Sequence, residues 1–323
     1  MVKYQDLLQN SKAFSLIKRD IAEDMLSHSY MIVSEDNGAL EEFYKLFLMA
    51  VFCKNNGCGT CNECRKVLNR NHADIIHIEK EKTIVVEDIK QIVENSYISS
   101  VEGYKKVFVI HGGEKMNTQA QNKLLKVLEE PPKDVIFLIG VTNISNILQT
   151  VKSRVKMINL DIFPPEKIFK ELKKYTDDEE KAKVASICSE GQISKAVDLL
   201  YDDRYIALYK DVVNLLINLN HSSEIVNFIA NDLFKKENIS DTLDIMMLLF
   251  RDIAICKKDK SLVLSQHIIN DIDFLSDKFS TASCIAIIGK IEKFKKMLYY
   301  NINSTNVAEQ LMFAILEVKF RCN

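Results

Sequence analysis

The sequence predicts an α/β domain with a three-layer parallel sheet, followed by all-α segments. In the first half, short apolar runs alternate with helical patterns, which is typical of βαβ units stacked around a parallel sheet. All four prolines and seven of the nine glycines precede residue 166, so the turn-forming residues are concentrated in this half. Beyond it the apolar residues recur at helical spacing, which indicates helices packed on helices.

Size and composition indicate a globular protein of two or three domains. The chain has 323 residues, of which 47% are hydrophobic and 27% charged. Its net charge of −2 argues against a protein that holds nucleic acid by itself, because phosphate binding requires concentrated lysine and arginine. The start lacks the apolar stretch of a signal peptide, and Arg251 and Asp252 interrupt the apolar segment Met246–Ile255. We therefore expect a cytoplasmic protein without a membrane span.

Five strands and the helices between them account for the first domain, which we expect at residues 1–162. The strand candidates are the apolar runs Tyr30–Val33, Ile75–Ile78, Lys106–Ile110, Val135–Val141 and Lys156–Leu160. Between the second and third runs, Glu87–Ser96 carries Ile89, Ile92 and Val93 at helical spacing on one face. Buried strands alternating with such helices imply helices on both faces of the sheet.

Helical periodicity continues from Pro164-Pro165 to Phe320. A short segment reaches about Asp203 and longer apolar stretches follow, so we expect two helical domains, at residues 163–204 and 205–323. Their apolar stripes most simply serve helix-to-helix packing, and part of them is available to a subunit interface.

Four cysteines lie within twelve residues, in the order Cys53, Cys58, Cys61 and Cys64. A reducing compartment disfavours disulfides, and Gly57 and Gly59 permit the tight turns that converging ligands require. Four thiolates make a closed tetrahedral zinc site. Such a site has no open coordination position, so the predicted zinc ion is structural and not catalytic. The alternative is four unrelated reduced thiols.

The loop after the first strand occupies the place of a phosphate loop but lacks its chemistry. A working loop has several glycines, a lysine for the β- and γ-phosphates, and a serine or threonine for Mg²⁺. The candidate loop consists of Ser34, Glu35, Asp36, Asn37 and Gly38. Ala39-Leu40-Glu41-Glu42 follows, and its two carboxylates would repel phosphate. We therefore expect no nucleotide in this site.

The third strand candidate, Lys106–Ile110, is followed by His111 and not by the aspartate that would hold a metal ion in a working site. A lone histidine after a strand is more often a hydrogen-bonded loop residue than a ligand. Magnesium would therefore have no anchor on this side either.

The segment Asn117–Pro132, with the sequence NTQAQNKLLKVLEEPP, closely resembles the signature segment of the clamp-loader AAA+ subunits of bacterial DNA polymerase III. Its apolar residues line one face of a helix that Pro131-Pro132 ends. The resemblance covers about the first 165 residues and includes the four cysteines, Asn71-His72-Ala73-Asp74 and Ser153-Arg154. A weaker similarity joins Glu190–Ala196 to the lid domains of these proteins.

The resemblance implies an AAA+ domain at 1–162 with a zinc knuckle inserted at 53–64, a helical lid domain at 163–204 and a helical collar domain for oligomerisation at 205–323. Clamp loaders contain ATP-hydrolysing motor subunits and a related subunit that keeps the fold with a degraded nucleotide site. Because its phosphate loop is defective, this chain resembles the second kind.

In a ring of such subunits, an arginine of one subunit reaches the γ-phosphate bound by its neighbour. Arg154, preceded by Ser153, is our candidate for this arginine finger acting in trans, because a planar, permanently charged guanidinium suits that role. The family's Ser-Arg-Cys triplet is Ser-Arg-Val here, with Val155 in the third place. The alternative is that Arg154 is an ordinary surface residue.

The resemblance implies partners as well as a fold. These are the gamma/tau motor subunits and the delta subunit in a hetero-oligomeric ring and, through that complex, the sliding clamp and primed DNA. The implied function is a non-hydrolysing part in the ATP-driven loading of the clamp. Two alternatives stay open: a divergent gamma/tau-like motor ATPase, and a zinc-containing interaction protein outside replication.

Overall fold

The computed structural model describes residues 2–102, 105–219, 221, 225, 232–299 and 304–321. The chain forms two compact units. The first comprises the residues up to Phe163 together with Gln192–Ser194, and the second comprises Pro164–Gly191 and the residues from Lys195 onward. The expected division of the helical part into a lid and a collar stays a prediction, and its residues 222–224 and 226–231 lie outside the described part of the chain.

The first unit is built on a five-stranded parallel sheet, which confirms the predicted fold class. Its strands are β1 (Ser29–Val33), β2 (Ile75–Ile78), β3 (Lys106–Ile110), β4 (Val135–Val141) and β5 (Lys156–Asn159). The order across the sheet is β2-β3-β4-β1-β5. In this order β1 lies between β4 and β5, and Ile32 pairs with Gly140 on one side and Ile158 on the other.

Helices cover both faces of this sheet. Those of the first unit are α1 (Gln5–Gln9), α2 (Lys12–Ala22), α3 (Asn37–Phe52), α4 (Asn62–Leu68), α5 (Val86–Ser96), α6 (Thr118–Glu129) and α7 (Gln149–Lys152). One face, with Phe108 and Phe137 stacked 5.4 Å apart, packs with the apolar residues of α5 and α6. On the other face Tyr30 lies 5.2 Å from Phe47 of α3. The domain therefore has three layers.

Side-chain caps fix where the two helices nearest the candidate site begin. Asp36 accepts a hydrogen bond from the N–H of Ala39 at the start of α3, and Asn117 accepts one from the N–H of Ala120 at the start of α6. Each carboxylate or amide oxygen satisfies a donor that the first turn of a helix leaves free. Pro131 follows α6 closely and prevents its continuation.

Further α-helices among the described residues are α8 (Pro165–Leu172), α9 (Glu179–Cys188), α10 (Ile193–Leu200), α11 (Asp203–Asn218), α12 (Ile239–Cys256), α13 (Ile269–Lys278), α14 (Thr281–Tyr299) and α15 (Ser304–Arg321). The apolar segment with Arg251 and Asp252 lies in α12. Asp252 is fully buried and accepts hydrogen bonds from Arg251 and from the N–H groups of Leu264 and Ser265. Within the described ranges, none of the helices has the length and apolar content that crossing a membrane requires.

Candidate functional site

The four cysteines converge at the end of α3. Cys53 follows that helix directly, Cys61 caps the N-terminus of α4, and Cys64 lies in the first turn of α4. Cys58 lies in the connecting loop between two glycines whose φ angles are +84° and +76°. Left-handed backbone of this kind favours glycine, so the loop can turn tightly enough to bring Cys58 back to the others.

The sulfur atoms have the spacing of a tetrahedral thiolate site. The Sγ atom of Cys53 lies 3.6 Å from that of Cys58 and 3.7 Å from that of Cys61. One Sγ atom from each of the four cysteines lies within 4.8 Å of every other. With metal–sulfur bonds of about 2.3 Å, tetrahedral geometry places the sulfurs about 3.8 Å apart. The donor set therefore fits a metal ion, and the cluster could hold one.

Hydrogen bonds to sulfur favour the thiolate form of two of these cysteines. The Thr60 hydroxyl, with the N–H groups of Thr60 and Cys61, lowers the pKa of Cys58 to about 6. Burial raises the pKa of Cys53, but three backbone N–H groups outweigh it and the pKa is lowered on balance. Burial raises the pKa of Cys64. A metal ion would have to displace that proton, as coordination to a thiol does.

An ion-pair network that the sequence reasoning missed braces the cysteine loop. The Lys66 ammonium lies 2.7 Å from the Glu102 carboxylate and 3.3 Å from that of Glu63. His72 accepts the N–H of Asp74 at Nδ1, so Nε2 carries its hydrogen and donates to Glu63. Glu63, His72 and Glu102 could by themselves hold a cation. Lys66 already neutralises their carboxylates, and the buried Asp74 accepts the N–H of Glu102, so the network ties α4 to the segment after α5.

The loop after β1 directs its polar groups to the protein itself. The Ser34 hydroxyl accepts the N–H of Asp36, and Asp36 in turn accepts the N–H of Ala39. Asp36 also accepts the N–H of Ser194, which belongs to the same unit, at 3.0 Å. A Cβ atom added to Gly38 would lie 2.5 Å from the Cβ atom of Ser194. The N–H groups that a phosphate loop would present to an anion are thus partly engaged, and Ser194 occupies the space beside Gly38.

Glu41 and His111 meet at the carboxyl ends of the strands, where a working site would hold Mg²⁺. The Nδ1 atom of His111 lies 2.7 Å from Glu41, and its Nε2 atom lies 3.0 Å from Nδ1 of His77. Arg70 hydrogen-bonds Glu41 at 3.2 Å and Glu79 at 2.9 Å. His111 is therefore a hydrogen-bonded residue in a network that extends from α3 to β2, as its position after a strand suggested.

Electrostatics around this network do not favour a phosphate. Burial, followed by the charges of His111 and Arg70, lowers the pKa of His77 to about 4, so this imidazole is neutral at pH 7. A cavity of about 470 Å³ beside the network is lined by Asn37, Glu41, Lys45, Leu68, Asn69, Arg70 and Glu79. Two carboxylates and two cations balance in that lining, whereas a triphosphate site requires an excess of positive charge.

Tyr44 packs closely against β4 at the same edge. A Cβ atom added to Gly140 would lie 1.2 Å from the Tyr44 hydroxyl oxygen, so only glycine leaves room for it. This hydroxyl is buried and, among the residues that the structure describes, has no hydrogen-bond partner. Burial, together with the charges of Glu41 and Glu114, raises the pKa of Tyr44 well above its ordinary value.

Ser153 and Arg154 follow α7 at the surface. The Arg154 guanidinium lies 2.6 Å from the Glu129 carboxylate and donates to the Thr150 carbonyl at 2.9 Å and to the Ser153 hydroxyl at 3.3 Å. Its side chain is 35% exposed. Val155, which stands in place of the family's cysteine, packs against the sheet core.

Arg154 lies beside the amino-terminal end of β1, and the phosphate-loop position follows the carboxyl-terminal end of the same strand. The carbonyl of Arg154 accepts the hydroxyl of Ser29, the first residue of β1, whereas Ser34 follows the last residue of that strand. Five residues of strand span about 16 Å. Arg154 is therefore remote from the nucleotide position of its own domain.

Gln121 connects α6 to the segment that leads to α7. Its side-chain amide donates to the carbonyls of Met116 and Asn146 and accepts the N–H of Leu148. The side chain is buried, so these three bonds satisfy polar atoms that water cannot reach. The helix of the signature segment is thus fixed to the loop that precedes Arg154.

The fold and the site define a class: a three-layer α/β domain with a five-stranded parallel sheet and a four-cysteine cluster that could hold a metal ion, followed by helices. The family model described as "DNA polymerase III, delta subunit" matches residues 9–164. Over these residues the chain is similar to clamp-loader subunits of DNA polymerase III.

Two curated relatives and one solved structure illustrate the similarity. The chain is 24% identical to DNA polymerase III subunit delta′ of Bacillus subtilis (strain 168) over 95% of this chain and 96% of that protein. It is 26% identical to DNA polymerase III subunit gamma of Buchnera aphidicola subsp. Acyrthosiphon pisum, over 61% of this chain and 57% of that protein. A gamma subunit-related protein of Thermotoga maritima aligns with a TM-score of 0.45 at 16% identity, covering 95% of this chain and 100% of that one.

Proposed function

We propose that this chain is the delta-prime subunit of the DNA polymerase III clamp loader. In this role it is an AAA+ scaffold that hydrolyses no ATP and supplies Arg154 to the ATPase site of a neighbouring motor subunit. One observation carries the proposal: where the sheet would bind nucleotide, Gly38 and Glu41 contact the chain's own side chains, while Arg154, with a side chain 35% exposed, lies at the opposite end of β1.

The contacts at the phosphate-loop position support a chain that hydrolyses no ATP by itself. Phosphoryl transfer needs a lysine on the β- and γ-phosphates and a Mg²⁺ ion held by a hydroxyl and an aspartate. Here the Glu41 carboxylate is hydrogen-bonded to His111 and Arg70. An engaged carboxylate supplies neither the positive charge that a triphosphate requires nor a free ligand for Mg²⁺, so we expect no nucleotide to bind here.

The position of Arg154 at the surface supports a role at the ATPase site of a neighbouring subunit. A guanidinium stabilises the charge that develops on the transferred phosphoryl group, and an arginine finger contributes about 10³–10⁵ in rate. With about 16 Å of strand between the two ends of β1, Arg154 cannot reach its own phosphate position. A phosphate bound by an adjacent subunit is the partner that its surface position allows, and Ser153 beside it shares the same turn.

We propose zinc as the metal held by Cys53, Cys58, Cys61 and Cys64. Zinc accepts four thiolates in tetrahedral geometry, which the sulfur spacings of 3.6 and 3.7 Å fit. Bound zinc would supply no chemistry, because four protein ligands leave no position for water or substrate. Its role would be to fold the loop between α3 and α4.

The proposed partners are the gamma/tau motor subunits and the delta subunit in a hetero-oligomeric ring, and through them the sliding clamp and primed DNA. The names of the relatives, which include delta′ and gamma, support this setting. The net charge of −2 favours contact with DNA that is shared with other subunits.

A second candidate is a divergent gamma/tau-like motor. Gamma and tau subunits are among the relatives, which favours it, although the chain spans 57% of the Bacillus subtilis tau subunit and 57% of the Buchnera gamma subunit. The two functions differ in one simple property: a motor hydrolyses ATP by itself. Mg²⁺-dependent turnover by the isolated chain would favour the motor and contradict the delta-prime proposal.

Arg154→Ala in a reconstituted loader tests the finger. The purified chain is combined with the gamma/tau and delta subunits of its organism, and DNA-stimulated ATP turnover is measured together with assembly by gel filtration. We expect Arg154→Ala to assemble normally and to lower turnover at the adjoining site about 10³-fold or more, the range of arginine fingers. Lys123→Ala, which removes an exposed cation from α6, should leave turnover unchanged. Unchanged turnover with Arg154→Ala would refute the proposed role.

A further inference from the structure

Arg154 is held from two sides within its own domain. One terminal nitrogen, Nη1, donates to the Thr150 carbonyl and the Ser153 hydroxyl, and the other, Nη2, lies 2.6 Å from Glu129 Oε1. Contacts at both nitrogens fix the plane of the guanidinium, which one contact alone would leave free to rotate. A planar group that binds phosphate through a fork of N–H donors acts only in the correct orientation.

Glu129 itself is anchored to the sheet. It is the last residue of α6, and the carbonyl of the preceding Leu128 accepts a hydrogen bond from Nε2 of His28 at 3.1 Å. Ser29, which follows His28, donates a hydrogen bond from its hydroxyl to the carbonyl of Arg154 at 3.0 Å. The adjacent residues His28 and Ser29 thus bind the backbone at Leu128, next to Glu129, and at Arg154, and Ser29 is completely buried.

Stability is a weak explanation for this pair. The side chains of Glu129 and Arg154 are 49% and 35% exposed, and ion pairs of such exposure contribute little to folding. Orientation of the guanidinium is the larger effect, since a long side chain on rotatable bonds samples many rotamers unless a partner selects one. The carboxylate of Glu129 is the charged partner that makes this selection.

We infer that Glu129 is a positioning residue for Arg154: it orients the guanidinium toward the nucleotide of a neighbouring subunit. This inference rests on the proposed function. Glu129 touches no nucleotide and acts through Arg154. In Glu129→Ala the Thr150 and Ser153 contacts remain, so the arginine keeps its location and loses its fixed plane.

A double-substitution cycle in the reconstituted complex tests the inference. ATP turnover and the KM for ATP are measured for complexes that carry the unmodified chain, Glu129→Ala, Arg154→Ala or both substitutions. We expect Glu129→Ala to lower turnover about two- to five-fold, the range of an exposed ion pair, without changing KM or assembly. In the Arg154→Ala background it should have no further effect. Glu129→Gln, whose amide oxygen can still accept a hydrogen bond, should give an intermediate value, and Glu130→Ala, at the adjacent exposed carboxylate, should give none.

The outcomes separate the inference from the function on which it rests. If Arg154→Ala leaves turnover unchanged, the proposed arginine finger fails. If Arg154→Ala lowers turnover but Glu129→Ala does not, the finger stands and the positioning role is overturned. Equal effects of Glu129→Ala with and without Arg154 would also overturn it, because a merely structural residue acts independently of the guanidinium.

Discussion

Replacing Tyr44 by Phe should stabilise the protein, although the substitution removes a polar group and adds no contact. The Tyr44 hydroxyl is buried and, in the described part of the chain, no donor or acceptor pairs with it. A buried hydroxyl without a partner costs about 1–3 kcal/mol of desolvation. Its removal leaves a small space beside Gly140, which reduces the gain, so we expect the free energy of unfolding to rise by about 1 kcal/mol.

Urea unfolding followed by far-ultraviolet circular dichroism measures this change, since the chain contains no tryptophan. With a slope of about 2 kcal/mol per molar urea, a gain of about 1 kcal/mol shifts the midpoint for unfolding of the first unit upward by about 0.5 M. The pH dependence gives a second readout. Burial, with Glu41 and Glu114, raises the pKa of Tyr44, so the folded state disfavours the phenolate and loses stability above pH 10. Tyr44→Phe should lose less stability in that range.

Gly140→Ala is the matched control at the same contact. The added Cβ atom would lie 1.2 Å from the hydroxyl oxygen and 2.4 Å from the ring carbon Cζ, so the whole side chain must move. Overpacking of a core costs about 1–3 kcal/mol, and Gly140→Ala should destabilise by about this much whether residue 44 is Tyr or Phe. A loss of about 1 kcal/mol or more in Tyr44→Phe would refute the reasoning, because it would show that the hydroxyl has a partner such as an ordered water.

Two further predictions concern the metal and an acidic residue of the core. Elemental analysis should find one equivalent of zinc in the native chain and none in Cys64→Ser. Cys188→Ser, at a buried cysteine of the second unit, should retain the zinc. Full zinc in Cys64→Ser would contradict a four-thiolate site. Asp20 accepts hydrogen bonds from Lys156 at 2.6 Å and Tyr30 at 2.8 Å; burial raises its pKa, but the bonds from these two residues lower it on balance. The stabilisation by ionised Asp20 is therefore present above about pH 4 and lost as pH falls below it. Asp20→Asn should lower the free energy of unfolding by about 2 kcal/mol at pH 7 and reduce its dependence on pH in the acid range. An unchanged pH dependence would contradict the role of these hydrogen bonds.

Local patterns predicted the sheet well because its strands are buried in a simple way. β3 and β4 are buried along their whole length, and continuous apolar runs identify such strands. The differences lie at strand ends. β1 begins at Ser29, one residue before the predicted start, because this polar residue is buried and its hydroxyl bonds Arg154. β5 ends at Asn159, one residue before the predicted end.

The cysteine cluster was predictable for a related reason: its four thiols are close in sequence, and their spacing alone indicates a shared ligand. The network of His77, His111 and Glu41 has no such signal, since its contacts join residues 34 and 70 positions apart. The contact between Tyr44 and Gly140 also has no local signal, because Tyr44 lies in α3 and Gly140 in β4. The two residues meet because β1, which precedes α3, lies beside β4 in the sheet.

The separation of the two ends of β1 explains how one chain could lose one half of an ATPase site and keep the other. On the proposed function, every nucleotide lies between two subunits, so each domain contributes a phosphate-binding end to one interface and an arginine to the next. At the phosphate-binding end here, the chain makes contacts of its own: Ser194 lies against Gly38, and Glu41 is hydrogen-bonded to His111. None of these contacts touches Arg154, whose backbone is held by Ser29 at the other end of β1, about 16 Å away. The two ends are therefore structurally independent, and a scaffold with an active finger requires no compensating change in the sheet between them.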